Sequence, residues 1–379
     1  MKIPFNKPHM TGKEPGYITE AYANGVLAGD GPFTQNCHRW LEENTGTKKA
    51  LLTHSCTAAL EMAALLLDIK PGDEVIVPSY TFVSTANAFV LRGGVPVFID
   101  IKSDTLNIDE ALIEGAISPK TKAIIPVHYA GVACNMDAIM RIAEKHKLAV
   151  VEDAAQAVMS SYRGKALGSI GQLGAYSFHE TKNIISGEGG ALLVNDPELV
   201  SRAEIIREKG TDRSRFFRGA VDKYTWQDLG SSFLPGELTA AFLWAQFEAA
   251  TKITAKRLEL WNRYNRLLAP LEINGTLRRP IIPEDCQQNG HMYYVLLNPL
   301  IDRRQVLDDF KNAGIMAPFH YIPLHSSPAG SRYGRSHGSM NITRAVSEQI
   351  LRLPLFYSIT EIEQEKVCAV LRSARRHLK

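Results

Sequence analysis

The sequence predicts an α/β fold in two domains: a large N-terminal domain built on a mostly parallel sheet, and a smaller α+β domain at the C-terminus. Over the first 250 residues, short apolar runs of strand length alternate with helical periodicities, which requires crossover connections between parallel strands. From about residue 251 a charged helical pattern and an aromatic strand pattern replace this alternation. The 379 residues also exceed the usual size of one core. We therefore predict domains at 1–250 and 251–379.

The predicted elements follow one another in strand–helix order. Strands are expected at 50–53, 74–78, 95–99, 123–128, 148–156 and 191–194, and helices at 33–44, 58–67, 136–146, 198–209 and 237–249. The C-terminal domain should contain helices at 252–268 and 303–313 around a strand near 291–297. The first 16 residues contain three prolines and no clear period, which indicates an irregular arm over the body or a partner subunit. Ligands of such a sheet bind at the carboxyl ends of its strands.

Composition excludes several classes of protein. A hydrophobic content of 45% and a charged content of 22% are ordinary for a soluble globular protein. The net charge of +3 is spread along the chain, which argues against a nucleic-acid surface and suits a small anionic substrate. Five cysteines without a Cys-x-x-Cys pair indicate reduced thiols in a cytoplasmic protein. The N-terminus has no signal-peptide pattern, and Glu61 interrupts the most apolar helix, so we expect no membrane segment.

The chemistry is expected around Lys182, which lies between an aromatic, strand-like approach and the glycine-rich exit 187–190. Burial there would lower the pKa of the lysine and free its amine to form a Schiff base with a carbonyl. Upstream, Asp153 lies in the C-terminal part of the predicted strand at 148–156. If the ligand is pyridoxal phosphate (PLP), a carboxylate at that place would keep the pyridine nitrogen protonated.

Two further strand ends have residues suited to a planar, phosphorylated ligand. Ser55, Cys56 and Thr57 precede a helix, whose N-terminal N–H groups and dipole favour an anion, although Ser55 or Thr57 could instead be an ordinary N-cap. Phe82 follows the strand 74–78 and could cover one face of a ring, or be a core phenylalanine.

Two motifs resemble the DegT/DnrJ/EryC1/StrS family of PLP-dependent sugar aminotransferases: Asp-Ala-Ala-Gln at 153–156 and Ser-Phe-His-Glu-Thr-Lys-Asn at 177–183. The resemblance implies the type I fold of PLP-dependent transferases, similar to aspartate aminotransferase. It implies Lys182 as the catalytic residue, and these cofactor contacts: Asp153, Gln156, Ser177, Phe82, Cys56, Thr57 and Ser232.

Some positions of this chain differ from the family pattern, and the substrate-binding candidates match it less closely than the cofactor contacts do. Where the family has Gly-x-Asn-Tyr-Arg, with the asparagine reaching the cofactor phosphate of the adjacent subunit, this chain has Ser232 and Leu234. A serine hydroxyl could still make the contact, so we expect a homodimer. The substrate-binding candidates are Arg213, Tyr321 and His325. Arg213 lies in a polar stretch that is either a solvated loop or a flap over a diphosphate and a base. His320 and His325 have no apparent third metal ligand, so no metal site is expected.

Three longer stretches, 55–69, 80–93 and 221–232, carry a narrower resemblance to enzymes that aminate C4 of a dTDP-4-keto-6-deoxyhexose. This implies transfer from L-glutamate to dTDP-4-keto-6-deoxy-D-glucose, giving dTDP-4-amino-4,6-dideoxy-D-galactose and 2-oxoglutarate for a surface polysaccharide of the enterobacterial common antigen or O-antigen type. The gluco product remains an alternative. A sugar dehydratase of this fold is a second alternative, but it would have histidine at position 182, where this chain has Lys182. A regulatory protein of this fold is a third alternative, and it would be expected to carry a DNA-binding appendage.

Overall fold

An eight-stranded mixed sheet forms the centre of the large domain in the computed structural model, which describes residues 2–378. The strands of the protein are β1 (Lys49–Thr53), β2 (Glu74–Pro78), β3 (Val95–Ile99), β4 (Thr121–Ile124), β5 (Ala149–Asp153), β6 (Ser161–Tyr162), β7 (Lys165–Ala166), β8 (Leu173–Ser177), β9 (Gly190–Val194), β10 (Leu277–Arg278), β11 (Cys286–Gln287), β12 (Tyr293–Leu297), β13 (Arg335–Ser336) and β14 (Ile350–Leu353). The order across the large sheet is β1-β9-β8-β5-β4-β2-β3-β13. Only β9 is antiparallel to its neighbours, β1 and β8. The carboxyl ends of β2, β5 and β8 therefore meet at one edge of the sheet.

Helices cover both faces of this sheet. They are α1 (Glu14–Ala23), α2 (Pro32–Thr45), α3 (Cys56–Leu66), α4 (Val83–Val90), α5 (Glu110–Ala116), α6 (Met136–His146), α7 (Val200–Arg207), α8 (Arg213–Phe217), α9 (Glu237–Glu248), α10 (Ala250–Ile273), α11 (Arg303–Asn312), α12 (Pro328–Tyr333), α13 (Asn341–Gln349) and α14 (Glu361–Arg372). Successive strand residues point to opposite faces. Leu52 thus belongs to the apolar cluster that includes residues of α1, α2, α6 and α9, whereas Leu51 belongs to the cluster that includes residues of α3, α4 and α7.

The smaller domain has its own apolar core around the antiparallel sheet β10-β12-β14 and helices α10, α11 and α14. Two short segments after residue 250 pair with the large domain: β13 extends the large sheet beside β3, and β11 pairs with β6. Conversely, the N-terminal arm contacts the small domain, because Ile3 forms a bridge to Ile315 and lies in the small-domain core. The domain boundary at residue 250 stays a prediction.

Most predicted elements are confirmed, and β2 and β3 have the predicted bounds. The strand predicted at 123–128 is wrong at its end, because β4 stops at Ile124, just before Pro126, which has no N–H to donate. The arm is also shorter than expected. Helix α1 begins at Glu14, since proline is tolerated in the first turn, where Pro15 lies. The polar stretch after residue 210 forms the short helix α8. Within residues 2–378, no helix combines the length and the apolar character needed to cross a membrane.

Candidate active site

A cavity of ≈ 820 Å³ lies at the carboxyl edge of the large sheet, between the two domains. Its walls come from the ends of β5 and β8, the start of α3, the segment 81–84 and the small-domain segments 316–321 and 352–355. It brings together eight of the predicted site residues: Lys182, Asp153, Gln156, Ser177, Phe82, Cys56, Thr57 and Tyr321. The residues predicted at the strand ends therefore lie together in one cavity, and their roles stay predictions.

Lys182 lies on the loop between β8 and β9. The loop is held tightly, because Lys182 N donates to His179 O at 2.9 Å and Phe178 N donates to Gly189 O at 2.9 Å. Burial lowers the pKa of the Lys182 amine below its ordinary value. Cys56 and Asp153 partly oppose this effect, and the charge of Arg352 makes a smaller lowering contribution. The amine is therefore biased toward its neutral form, which is the nucleophilic and basic form.

Asp153 is the last residue of β5 and is buried. Its Oδ2 accepts a hydrogen bond from Thr85 Oγ1 at 2.7 Å, and its Oδ1 accepts from Ala155 N at 3.1 Å. Thr85 Oγ1 lies 2.8 Å from Thr81 Oγ1. These contacts fix the carboxylate while it still faces the cavity that contains Lys182.

The start of α3 offers a site for an anion. Ser55 is the N-cap of α3, because its Oγ accepts a hydrogen bond from Ala58 N at 3.0 Å. The capping alternative is therefore correct for Ser55, and Cys56 and Thr57 lie in the first turn of the helix. A Cβ at Gly190 would lie 2.4 Å from Cys56 N, so only glycine lets β9 pass this close to the helix start. Burial raises the pKa of the Cys56 thiol, which keeps it uncharged beside Lys182.

Gln156, Tyr321 and Phe82 line the same cavity. Gln156 Oε1 accepts from Ala130 N at 2.6 Å, and its Nε2 donates to Tyr321 Oη at 3.0 Å. Tyr321 has a φ of 31°, a region unfavourable for a tyrosine, and its ring stacks on His320 at a centroid distance of 3.6 Å. Phe82 is 57% exposed, so the alternative of a core phenylalanine is wrong. Its open face suits a planar ligand.

Three predicted residues lie outside this cavity. Ser232 is exposed and bridges to Glu208. Arg213 lies in α8 with its guanidinium 5.1 Å from the ring centre of Phe217 and 3.6 Å from Glu208. His325 Nδ1 lies 2.6 Å from Ser79 Oγ. The structure gives these three no contact with the cavity of their own subunit, and their ligand contacts stay predictions. Among residues 2–378, no three His, Cys, Asp or Glu side chains are grouped as metal ligands would be.

Sequence reasoning missed four residues of the site: Thr85, Arg257, His291 and Arg352. Thr85 carried a weak signal, because it is a second threonine four residues after Thr81, in the first turn of α4. The other three come from the small domain or α10 and reach the cavity only through tertiary folding. His291 is buried, which lowers its pKa well below the ordinary value, and its Nδ1 lies 3.2 Å from Asn183 Oδ1.

The comparisons with known proteins agree with this geometry. The sequence profile described as the DegT/DnrJ/EryC1/StrS aminotransferase family matches residues 8–372. The chain belongs to this family. It is 32% identical to the GDP-perosamine synthase of Caulobacter vibrioides, covering 98% of this chain and 97% of that one. It is also 32% identical to the UDP-4-amino-4-deoxy-L-arabinose–oxoglutarate aminotransferase of Shewanella sediminis, covering 97% of each.

A solved structure supports the same conclusion. The PLP form of the putative sugar aminotransferase Spr1654 from Streptococcus pneumoniae matches with a TM-score of 0.92 and 26% identity, covering 100% of both chains. The protein is therefore a PLP-dependent sugar aminotransferase with the type I fold. Its residues fit the cofactor: a buried lysine amine of lowered pKa for the aldehyde, a fixed carboxylate for the pyridine nitrogen and a helix N-terminus for the phosphate meet in one cavity.

Proposed function

We propose that the enzyme transfers the amino group of L-glutamate to C4 of dTDP-4-keto-6-deoxy-D-glucose. The products are dTDP-4-amino-4,6-dideoxy-D-galactose and 2-oxoglutarate, made in the cytoplasm for a surface polysaccharide of the enterobacterial common antigen or O-antigen type. The substrate assignment rests on the resemblance of the stretches 55–69, 80–93 and 221–232 to C4-aminating enzymes of dTDP sugars. The name of the Shewanella relative supports a 4-amino nucleotide sugar and oxoglutarate as the amino-acid partner.

Lys182 is the catalytic residue of this proposal. Its amine would hold the cofactor aldehyde and, when released by the incoming amine, would take the proton from the α-carbon of the donor. In the second half-reaction the same amine delivers a proton to C4 of the sugar. The burial that lowers the pKa of Lys182 makes the amine easier to deprotonate, which favours its use as a base.

The other cavity residues hold the cofactor. Bound PLP supplies an electron sink for the charge left on the donor α-carbon. Asp153, fixed by Thr85, holds the proton on the pyridine nitrogen. The first turn of α3, with Cys56 and Thr57, and the hydroxyl of Ser177 bind the phosphate. Phe82 covers one face of the ring. Gln156 orients Tyr321 toward the substrate space.

We propose a homodimer in which Ser232 completes the phosphate site of the adjacent subunit. The exposure of Ser232, outside the cavity of its own subunit, supports a role toward a second copy. A two-fold pair would let the same patch close both sites. Arg213 and His325 would then border the sugar nucleotide.

Purified enzyme tests the proposal directly. Holoenzyme should be yellow, should bleach when L-glutamate is added, and should convert dTDP-4-keto-6-deoxy-D-glucose to a product whose C4 amine is axial by NMR. Lys182→Ala should retain the fold but lose the colour and turnover. An equatorial amine would establish the gluco alternative, and a coloured protein without turnover on any keto sugar would favour the regulatory one.

A further inference from the structure

His291 lies two residues before β12, on the small-domain wall of the cavity. Its backbone is held on both sides: its N–H donates to Asn289 Oδ1 at 2.9 Å, and its carbonyl oxygen accepts from Arg257 Nη2 at 2.7 Å. Asn289 in turn donates from Nδ2 to Gln156 O at 2.9 Å and to Val158 O at 2.8 Å, in the segment after β5. The backbone of His291 is therefore fixed relative to the large domain.

The hydrogen bonds of Asn183, the residue after Lys182, decide which imidazole nitrogen carries the proton. Asn183 Nδ2 donates to Asn289 O at 2.8 Å, so Asn183 Oδ1 is the atom that faces His291 Nδ1, 3.2 Å away. An amide oxygen only accepts, which requires His291 Nδ1 to be the donor. Burial lowers the pKa of His291 well below its ordinary value, so the ring is neutral and its Nε2 has an unshared electron pair.

The Nε2 atom of His291 is the acceptor that this ring has left. Among residues 2–378 no donor is bonded to this nitrogen, and the ring lines the cavity. The charged and titratable groups that act on the imidazole are Lys182, Arg257, His320 and Arg352, and Lys182 acts most strongly of the four. Both arginines already donate to backbone carbonyls, whereas Lys182 extends from the loop that contains Asn183. The lysine is therefore the donor that suits this nitrogen.

We propose that His291 Nε2 accepts a hydrogen bond from the Lys182 ammonium, an inference that rests on the catalytic role of Lys182 in the proposed function. When Lys182 takes the proton from the donor α-carbon, its amine becomes a cation in a buried site. A neutral acceptor stabilises that cation and orients its N–H bonds, but it does not hold the lysine charged as a carboxylate would. His291, oriented by Asn183, is thus a positioning residue for the proton transfer.

The first test measures Lys182 in the cofactor-free protein, where turnover plays no part. His291→Asn should keep the hydrogen bond to Asn183, because the new Nδ2 takes the place of the ring Nδ1, while the acceptor at Nε2 is lost. The pKa of Lys182 should fall further, and its acid dissociation constant should rise about 10- to 150-fold, the range for one hydrogen bond to a charged group. Competitive acetylation across pH, read by mass spectrometry at the Lys182 peptide, measures this constant. The matched control is His337→Asn, next to β13 and outside the cavity, which should leave the constant unchanged.

The second test observes the imidazole and the reaction with glutamate. Nitrogen NMR signals of His291, assigned by their absence in His291→Asn, should show a protonated Nδ1 and an unprotonated Nε2. In holoenzyme, the bleaching rate constant at saturating L-glutamate should fall about tenfold or more in His291→Asn, while the apparent glutamate affinity changes little, because the acceptor acts on the proton transfer.

Three results would overturn the proposal: an unchanged dissociation constant of Lys182 in His291→Asn, a proton on Nε2 of His291, or a loss of glutamate affinity at an unchanged bleaching rate constant. The last result would make His291 a substrate-binding residue instead. If Lys182→Ala keeps the colour and turnover, the catalytic assignment of Lys182 fails, whereas the measurements on cofactor-free protein still decide whether the hydrogen bond exists.

Discussion

Thr85→Val removes the hydroxyl that holds Asp153 and changes the side-chain shape little. An ionised Asp153 can only accept, so the Thr85 hydroxyl must donate to Oδ2, over 2.7 Å. The 2.8 Å contact between Thr81 and Thr85 then requires the Thr81 hydroxyl to donate to Thr85 Oγ1. Both threonines are buried, so this is a directed chain of two hydrogen bonds that ends on the carboxylate.

The loss of stability in Thr85→Val depends on the hydrogen bonds that the variant removes and on the donor that it leaves without an acceptor. Losing a hydrogen bond to a charged group costs about 1.5–3 kcal/mol, and the orphaned Thr81 donor adds about 1–3 kcal/mol. Replacing Thr81 as well removes that orphan, so Thr81→Val/Thr85→Val should be less destabilised than the sum of the single variants. Asp153 keeps only the bond from Ala155 N, and each 1.4 kcal/mol lost in orienting it weakens cofactor binding about tenfold.

Two assays check this reasoning, with Thr85→Ser as the control that retains the hydroxyl. Denaturant unfolding of the cofactor-free protein reports the stability differences, and titration with PLP reports the affinity. We expect Thr85→Ser to be near wild type in both. Wild-type PLP affinity and turnover in Thr85→Val would show that Thr85 does not position Asp153.

Three further predictions concern Asp153, Lys182 and Ser232. Asp153→Asn keeps the size of the side chain but loses the charge that favours a protonated pyridine nitrogen. PLP should still bind to this variant, while turnover measured with glutamate and keto sugar should fall by orders of magnitude. Near-normal turnover would show that Asp153 has only a structural role. Folding lowers the pKa of Lys182 below its ordinary value of 10.5. At a pH between these two pKa values, Lys182 is protonated in the unfolded chain and deprotonated in the folded chain. Stability of the cofactor-free protein should therefore rise with pH across that window, and Lys182→Met should reduce the slope in denaturant melts; an identical slope in both proteins would contradict the burial argument. Sedimentation should show a dimer stabilised by PLP, and mixing Lys182→Ala with Ser232→Ala should give partial activity in hybrid dimers; a fully active monomer would exclude the shared site.

Local pattern determined the framework of this site. Strand and helix periods alternate along the large domain, and that alternation places the carboxyl ends of the parallel strands at a shared edge. Asp153 and Ser177 end β5 and β8, and Phe82 follows β2 by a few residues, so their position could be predicted from the nearby sequence. The helix after β1 was predicted to begin at residue 58, two residues after its observed start at Cys56.

Tertiary structure decided which other groups reach the cavity. Arg352 belongs to a small-domain strand whose local pattern shows only burial, and its place beside Lys182 depends on how that domain packs and on the arm residue Phe5. The pairing of β13 with β3 likewise joins two residues to a strand far from them in the chain. Sequence periodicity indicates which face of a helix or strand is buried, but it does not indicate which other element packs against that face. Long-range contacts, and the removal of water that shifts the pKa of Lys182, exist only when both domains are assembled.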